Sequence, residues 1–381
     1  MVPCKEQESE WHEVPLRELV GYISKGIAPS YAEEASETTI RVLNQKCNRN
    51  FRISYGDSRL HDTLKKKLPP ERYVKPDDIL INSTGAGTAG RIAQIEDVPS
   101  ATTIDGHMIL IRSNGKVTQK FLGYALKAHQ WEVLQLDEGS TGQTELNRDR
   151  LLDEIMINYP VSFDEQNAIV GTLESIDRKL IVNEQLNDNL QQQAQAIYSS
   201  MFIDNPDPAW SHGHLSDLIT VKYGKDHKKL ADGIYPVYGS GGIMRHVERP
   251  LYNKESVLIP RKGTLNNVVY VNQPFWSVDT MFYTEMKLPN VAKFVYHFVK
   301  AKDLAAMNAG SAVPSMTTDI LNAMEVVIPS ASALEEFESL VAPMYEAMKA
   351  NDVQSQALSK MRDALLPKLM SGEIDVSAVR P

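Results

Sequence analysis

Asp78-Ile79-Leu80-Ile81-Asn82-Ser83-Thr84-Gly85 is answered later in the chain by Ser256-Val257-Leu258-Ile259-Pro260-Arg261-Lys262-Gly263. Each is a short apolar run of strand-like composition that leads through three residues to a glycine. The repetition extends outward from there. Trp11, Leu16 and Leu19 return with identical internal spacing as Trp210, Leu215 and Leu218. Lys120-Phe121 and Lys127-Ala128 return as Lys293-Phe294 and Lys300-Ala301, and Gly139-Ser140 returns as Gly310-Ser311. Tyr159-Pro160 and a helical segment close the first copy, and Ile328-Pro329 and another helical segment close the second. Solenoids repeat every ~20–50 residues, far less than this period. The chain is therefore a duplicated domain-plus-helix unit, an arrangement that can fold with approximate two-fold symmetry.

At 381 residues the expectation is two or three domains, each able to bury a core. A content of 42% hydrophobic and 23% charged residues is that of an ordinary soluble globular protein. No run of about 18 apolar residues occurs, so no transmembrane helix is expected. Met1-Val2-Pro3-Cys4-Lys5-Glu6 lacks the apolar stretch of a secretory signal. Cys4 and Cys47 make no disulfide framework and lie in no CxxC or Cys/His cluster, which points to a reduced cytoplasmic compartment without a zinc site. The formal charge of −9 is unevenly spread. Residues 161–205 hold 2 Lys/Arg against 7 Asp/Glu, while residues 206–329 hold 13 against 11. The acidity sits in the helical segments, and since screening limits electrostatic footprints to about 8–10 Å, net charge neither excludes nor predicts nucleic acid.

Each globular unit reads as mixed α/β. Strands are expected at Ile79–Ile81, Met108–Ile111, Ser256–Ile259 and Val268–Val271, and helices at Lys120–Gln130 and Ala292–Lys302. After Pro160 and Pro329 the pattern changes. Alternating steps of four and three residues, the seam of a coiled coil, select Leu173, Leu180, Asn183 and Leu190 in one segment and Met344, Asn351 and Leu358 in the other. Arg362 breaks the second seam. Asn183 and Asn351 share a heptad position near each midpoint, so an antiparallel pairing would bring their amides together and fix register. Asp204-Asn205-Pro206-Asp207-Pro208 is a stiff linker that ends the first helix.

No catalytic constellation emerges. Gly85-Ala86-Gly87-Thr88-Ala89-Gly90 matches GxGxxG after a strand, but a dinucleotide site needs a helix to follow, and Arg91–Asp97 stops at Val98-Pro99. The second copy keeps only Gly263, which favours a hairpin over a phosphate cradle. No HExxH, GxSxG or Walker A pattern is present. What remains are polar and basic loops at matching places. The first unit offers Lys25, Arg59, the Lys65-Lys66-Lys67 run, and Asn82, Ser83 and Thr84 leading to Arg91. The second offers Lys222, Lys225, Lys228, Lys229, Tyr238, Arg261, Lys262 and Asn266. Such side chains read base edges and position phosphates.

From Trp11 to about Ile374 the chain resembles a specificity subunit of a type I restriction–modification system. The signatures are Gly139-Ser140-Thr141-Gly142-Gln143 followed by Tyr159-Pro160 and Asp164-Glu165-Gln166, and the tail Leu365-Leu366-Pro367-Lys368-Leu369-Met370-Ser371-Gly372-Glu373-Ile374. The second copy has Leu334-Glu335-Glu336-Phe337 where a Glu-Gln pair is typical, so it is the more diverged half. The resemblance implies a mixed α/β, pseudo-two-fold chain. Residues 1–160 and 206–330 would be two target-recognition domains. Residues 161–205 and 331–381 would carry the two long antiparallel coiled-coil helices that join them. It implies a non-catalytic subunit without a cofactor of its own, acting in the cytoplasm and not at a membrane. The subunit would bind double-stranded DNA, reading one half of a split target with each domain. It would recruit two modification subunits, which methylate adenine with S-adenosylmethionine, and restriction/translocase subunits. Two other classes remain open: an enzyme using the Gly85–Gly90 loop for a nucleotide, and a two-domain adaptor with no role on DNA.

Overall fold

The computed structural model describes residues 10–138, 145–307 and 314–376. The chain is mixed α/β and divides into two compact units, one formed by residues up to 181 together with those from 355, the other by residues 182–354. In the first, an antiparallel sheet has the order Val20–Lys25, Met108–Ser113, Ile79–Asn82, Ile92–Gln94. In the second, Ile219–Tyr223, Met281–Met286, Ser256–Pro260 and Val269–Val271 repeat that order and those directions. Ile79, Leu80 and Ile81, like Val257, Leu258 and Ile259, are fully buried, because helices cover one face and a second sheet the other. That two-sided burial is why both runs are continuously apolar rather than alternating. The second sheet is also duplicated at its centre, where Thr39–Leu43 pairs in parallel with Thr102–Ile104 and Asp232–Gly239 with Trp276–Ser277. Each unit closes on an antiparallel ribbon, Trp11–Pro15 with Met156–Pro160 and Ser211–His214 with Glu325–Ile328.

Four helices matter below. Helix α1 (Gln119–Ala128), capped by the Thr118 hydroxyl, buries Phe121, Leu122, Ala125 and Leu126. Helix α3 (Ala292–Lys300) buries Phe294, Val295, Phe298 and Val299 at the same spacing. Helices α2 (Phe163–Ser199) and α4 (Ala331–Met370) are the long segments. In the first unit Ile169, Val170 and Leu173 of α2 share a core with Leu366, Leu369 and Met370 of α4. In the second, Ala194 and Tyr198 of α2 share one with Leu334, Phe337, Val341 and Tyr345, and Met344 packs against it. Rising numbers in α2 meet falling numbers in α4, which is antiparallel pairing. Leu180, Leu190 and Leu358 are half-buried.

The seam departs from expectation at its polar positions. Asn183 and Asn351 do not pair amide to amide. Asn183 Nδ2 donates to Asn351 O at 3.3 Å and to Gln354 Oε1 at 3.0 Å, and Asn351 Nδ2 donates to Asn187 Oδ1 at 2.9 Å. Helical side chains lean toward their own N-terminus, so facing amides on antiparallel helices slide past one another and reach the next turn. Arg362 is not a flaw in the seam but an ionic partner: its Nη1 lies 3.1 Å from Asp177 Oδ1. Asp177 Oδ2 accepts from Lys127 Nζ and from Tyr124 Oη, each at 2.9 Å, so one carboxylate ties α1, α2 and α4 together. Gly372, at φ 77°, ends α4 in the left-handed conformation that favours glycine. A Cβ there would stand 2.9 Å from the Trp11 ring, so the glycine of the tail signature is required twice over.

Candidate nucleic-acid interface

Polar edges gather where the sheet strands end. Thr84 and Lys262 occupy one slot: each forms an isolated bridge to a later segment, Thr84 with Glu145 and Lys262 with Ser315. The flanking hydrogen bonds match as well. Leu146 N donates to Ser83 O and Met316 N to Arg261 O, while Ser83 N donates to His107 O and Arg261 N to Thr280 O, all at 2.8–2.9 Å. Next along, Gly85 and Gly263 have φ of 117° and 85°. A Cβ at Gly85 would meet Gln45 Oε1 at 2.7 Å, and one at Gly263 would meet Ser240 Oγ at 2.6 Å. In both units the glycine thus lets a neighbouring loop, at Gln45 or Ser240, sit directly on the strand end.

In the first unit Lys25 and Thr84 come together, since Lys25 Nζ lies 2.6 Å from Glu145 Oε1. The Thr84 hydroxyl shares a hydrogen bond of 2.7 Å with His107 Nδ1. Arg59 is exposed and lies over the Tyr31 ring at 3.8 Å. Arg91 donates to Gly87 O and borders a cleft with Lys46, Arg49, Asn50 and Thr88. Lys46, Arg49 and Asn50 are exposed residues that the sequence reading missed. Their signal was the isolated basic pair around Cys47 and the turn at Asn50-Phe51, whose positive φ values of 53° and 61° mark a tight hairpin between Arg49 and Arg52.

Several expectations are corrected. Asn82 is fully buried: its Nδ2 donates to Gln45 O and its Oδ1 accepts from Asn48 Nδ2, each at 3.2 Å, so its amide joins loops of its own unit. Ser83 is buried and donates to Gly106 O, which leaves Thr84, half-buried, as the most accessible member of that trio. Tyr238 is buried against Phe275, and it corresponds to the core residue Leu43, since Val278 N donates to Tyr238 O as Asp105 N does to Leu43 O. Asn266 is exposed, but its side chain is engaged within its own unit, donating to Asp303 Oδ1 and accepting from Ala305 N. Lys222, on the edge strand, lies 3.8 Å from Glu285.

In the second unit Arg261 donates to Asp279 O and stacks near the Tyr223 ring at 5.4 Å, while Lys262 is exposed beside it. Tyr223, half exposed, takes the place that Lys25 holds in the first unit, and sequence reasoning missed it because the residue types differ. Lys225, Lys228 and Lys229 are exposed on the segment leading to Leu230, whose carbonyl accepts from Arg245 Nη2 at 2.8 Å. The Gly85–Gly90 loop is a hairpin between Ile79–Asn82 and Ile92–Gln94, closed by Gly90 N donating to Asn82 O. No helix N-terminus follows it, so it offers no pyrophosphate site. Among the described residues no group of three or more His, Cys, Asp or Glu is placed to hold a metal ion, and no helix is long and apolar enough to cross a membrane. The Gly139–Gln143 signature and its echo Gly310-Ser311 lie outside the described residues, as does Cys4.

Two duplicated α/β units with unlike polar edges on matched strand ends, each packed on the long paired helices, are the architecture of a DNA-specificity protein. The chain belongs to the type I restriction–modification DNA specificity family, whose domain model matches residues 8–192 and 209–336. It is 25% identical over 369 residues to the specificity subunit of the type I restriction enzyme MjaIX from Methanocaldococcus jannaschii, covering 85% of this chain and 83% of that one. A segment of 92 residues, 24% of this chain and 18% of the relative, is 30% identical to the HindI specificity subunit of Haemophilus influenzae. The fold is also that of the crystal structure of a type I S subunit from M. genitalium. That match has a TM-score of 0.60 at 17% identity and spans 96% of this chain and 98% of the other.

Proposed function

We propose that this chain is the DNA-reading, non-catalytic subunit of a cytoplasmic type I complex, in which each unit reads one half of a bipartite double-stranded target. Two modification subunits would bring S-adenosylmethionine and methylate adenine, and restriction/translocase subunits would join them. The observation that carries this reading is the pairing of one framework, repeated strand for strand, with different edges: Lys25, Thr84 and His107 in one unit against Tyr223, Arg261 and Lys262 in the other. Identical edges would suit a palindromic site, and unlike edges suit two different half-sites. Exchanging residues 12–160 for the matching unit of a relative, then mapping methylated adenines in a host with the partner subunits, tests it. One half of the methylated sequence should change. A change in both halves, or methyl transfer by the purified chain alone, would contradict it.

A further inference from the structure

On the second unit, the antiparallel ribbon of Asp232–Gly239 and Gly242–Val247 carries apolar side chains where a solvated edge would carry polar ones. Ile243 and Met244, adjacent in sequence, are 52% and 59% exposed. Neighbours on a regular strand face opposite ways, and a break in the pairing can turn two of them to one side. The break is present: Val237 faces Arg245 but Tyr238 faces Ile243, which makes Met244 the extra residue of a β-bulge. Bulges re-aim side chains. The tip is held in place rather than loose, because Asn267 Nδ2 donates to Ser240 O at 2.8 Å and Gly263 leaves room for Ser240. The hairpin tip between these strands therefore stands beside the loop that presents Arg261 and Lys262. Arg245 of the same ribbon fastens the segment bearing Lys228 and Lys229.

A two-stranded ribbon fits the major groove, and the C5-methyl of thymine is the apolar feature exposed there. We propose that Ile243 and Met244 are specificity-determining contacts of the second half-site that read thymine methyl groups, flanked by lysines, Lys262, Lys228 and Lys229, that hold the phosphates. This rests on the DNA reading above. The cationic flanks favour DNA as the occupant over an apolar protein partner.

The test uses the full chain with its modification subunits and duplexes carrying the methylated sequence, with uracil replacing thymine one position at a time in the second half-site. At one or two positions binding should weaken about four-fold, the equivalent of roughly 0.8 kcal/mol for one methyl-sized group. The Ile243→Ala/Met244→Ala variant, its fold checked by melting, should bind less tightly and be indifferent to uracil at those positions. Wild-type binding unchanged at every uracil, or a variant that keeps the sensitivity, overturns the assignment. Complete absence of sequence-specific binding would instead overturn the DNA reading on which it stands.

Discussion

Asp177→Ala removes the carboxylate shared by Lys127, Tyr124 and Arg362 in the first unit. The side chains of Lys127, Asp177 and Arg362 are 11%, 19% and 20% exposed, so the cluster is largely dry. Breaking a buried ion pair by removing one partner costs about 3–5 kcal/mol, because the other charge stays buried and unpaired. Arg362 keeps Asp363 at 2.8 Å, which reduces the expected loss to about 2–3 kcal/mol. For a domain of this size each kcal/mol shifts the midpoint by about 2–4 °C, so the first unit should melt about 4–12 °C lower while the second is unaffected. Adding Lys127→Met and Arg362→Leu should recover most of the loss, since a packed apolar cluster replaces the ionic one. The pH dependence supplies a second reading. Burial alone would push the Asp177 carboxyl up, but Lys127, Arg362 and Tyr124 outweigh it and hold it below the usual range. Lys127 is drawn down instead, because burial exceeds its share of the one carboxylate. A depressed carboxylate stabilises the fold above its unfolded value, about 3.9, and that contribution is lost as pH falls through the folded value. Calorimetry of the full chain at neutral pH and below about pH 4 should therefore show the wild type and Asp177→Ala converging in acid. A neutral-pH loss under about 0.5 kcal/mol, or a triple variant no more stable than the single one, would refute the reasoning.

Asn82→Ala should lower the stability of the first unit by about 1–3 kcal/mol through the unpaired groups it leaves, seen in melting rather than as altered base preference. Arg261→Ala should cost about 1–3 kcal/mol of discrimination in the second half-site, whereas Lys262→Ala should weaken all sequences alike and lower the salt slope by about 1. His297, buried and bonded to Gln195 Oε1 and Tyr345 Oη, has its pKa lowered to about 4 by burial. Its unfolded form protonates first as pH falls, so the second unit should lose up to about 3 kcal/mol between pH 6.5 and 4. In His297→Gln this part of the acid sensitivity should be absent from the unfolding profile.

The duplication was legible because burial on both sheet faces leaves continuous apolar runs, and these survive divergence better than loops do. The long helices were legible from their seam, and Arg362 looked like an interruption only because Asp177 lies 185 residues away in sequence. The polar edges were less readable. An amide such as that of Asn82 has the same composition whether it reads a base or closes a buried bond, and its burial depends on Gln45 and Asn48. Tyr238 looked like a surface donor until its match with Leu43 placed it in the core. Tyr223 escaped notice because a Lys in one unit became a Tyr in the other.

The core of the first unit includes Leu366, Leu369, Met370 and Val376 alongside Leu16 and Leu19, with Gly372 against Trp11. During synthesis, then, the domain translated first is the one that must wait. At about 5–20 residues per second the closing segment emerges roughly 10–40 s after residue 181. The second unit, contiguous from 182 to 354, has all of its residues in hand before that. A nascent chain thus passes through a stage in which its later domain is complete and its earlier one holds an open apolar groove, the stage at which chaperones have most to protect.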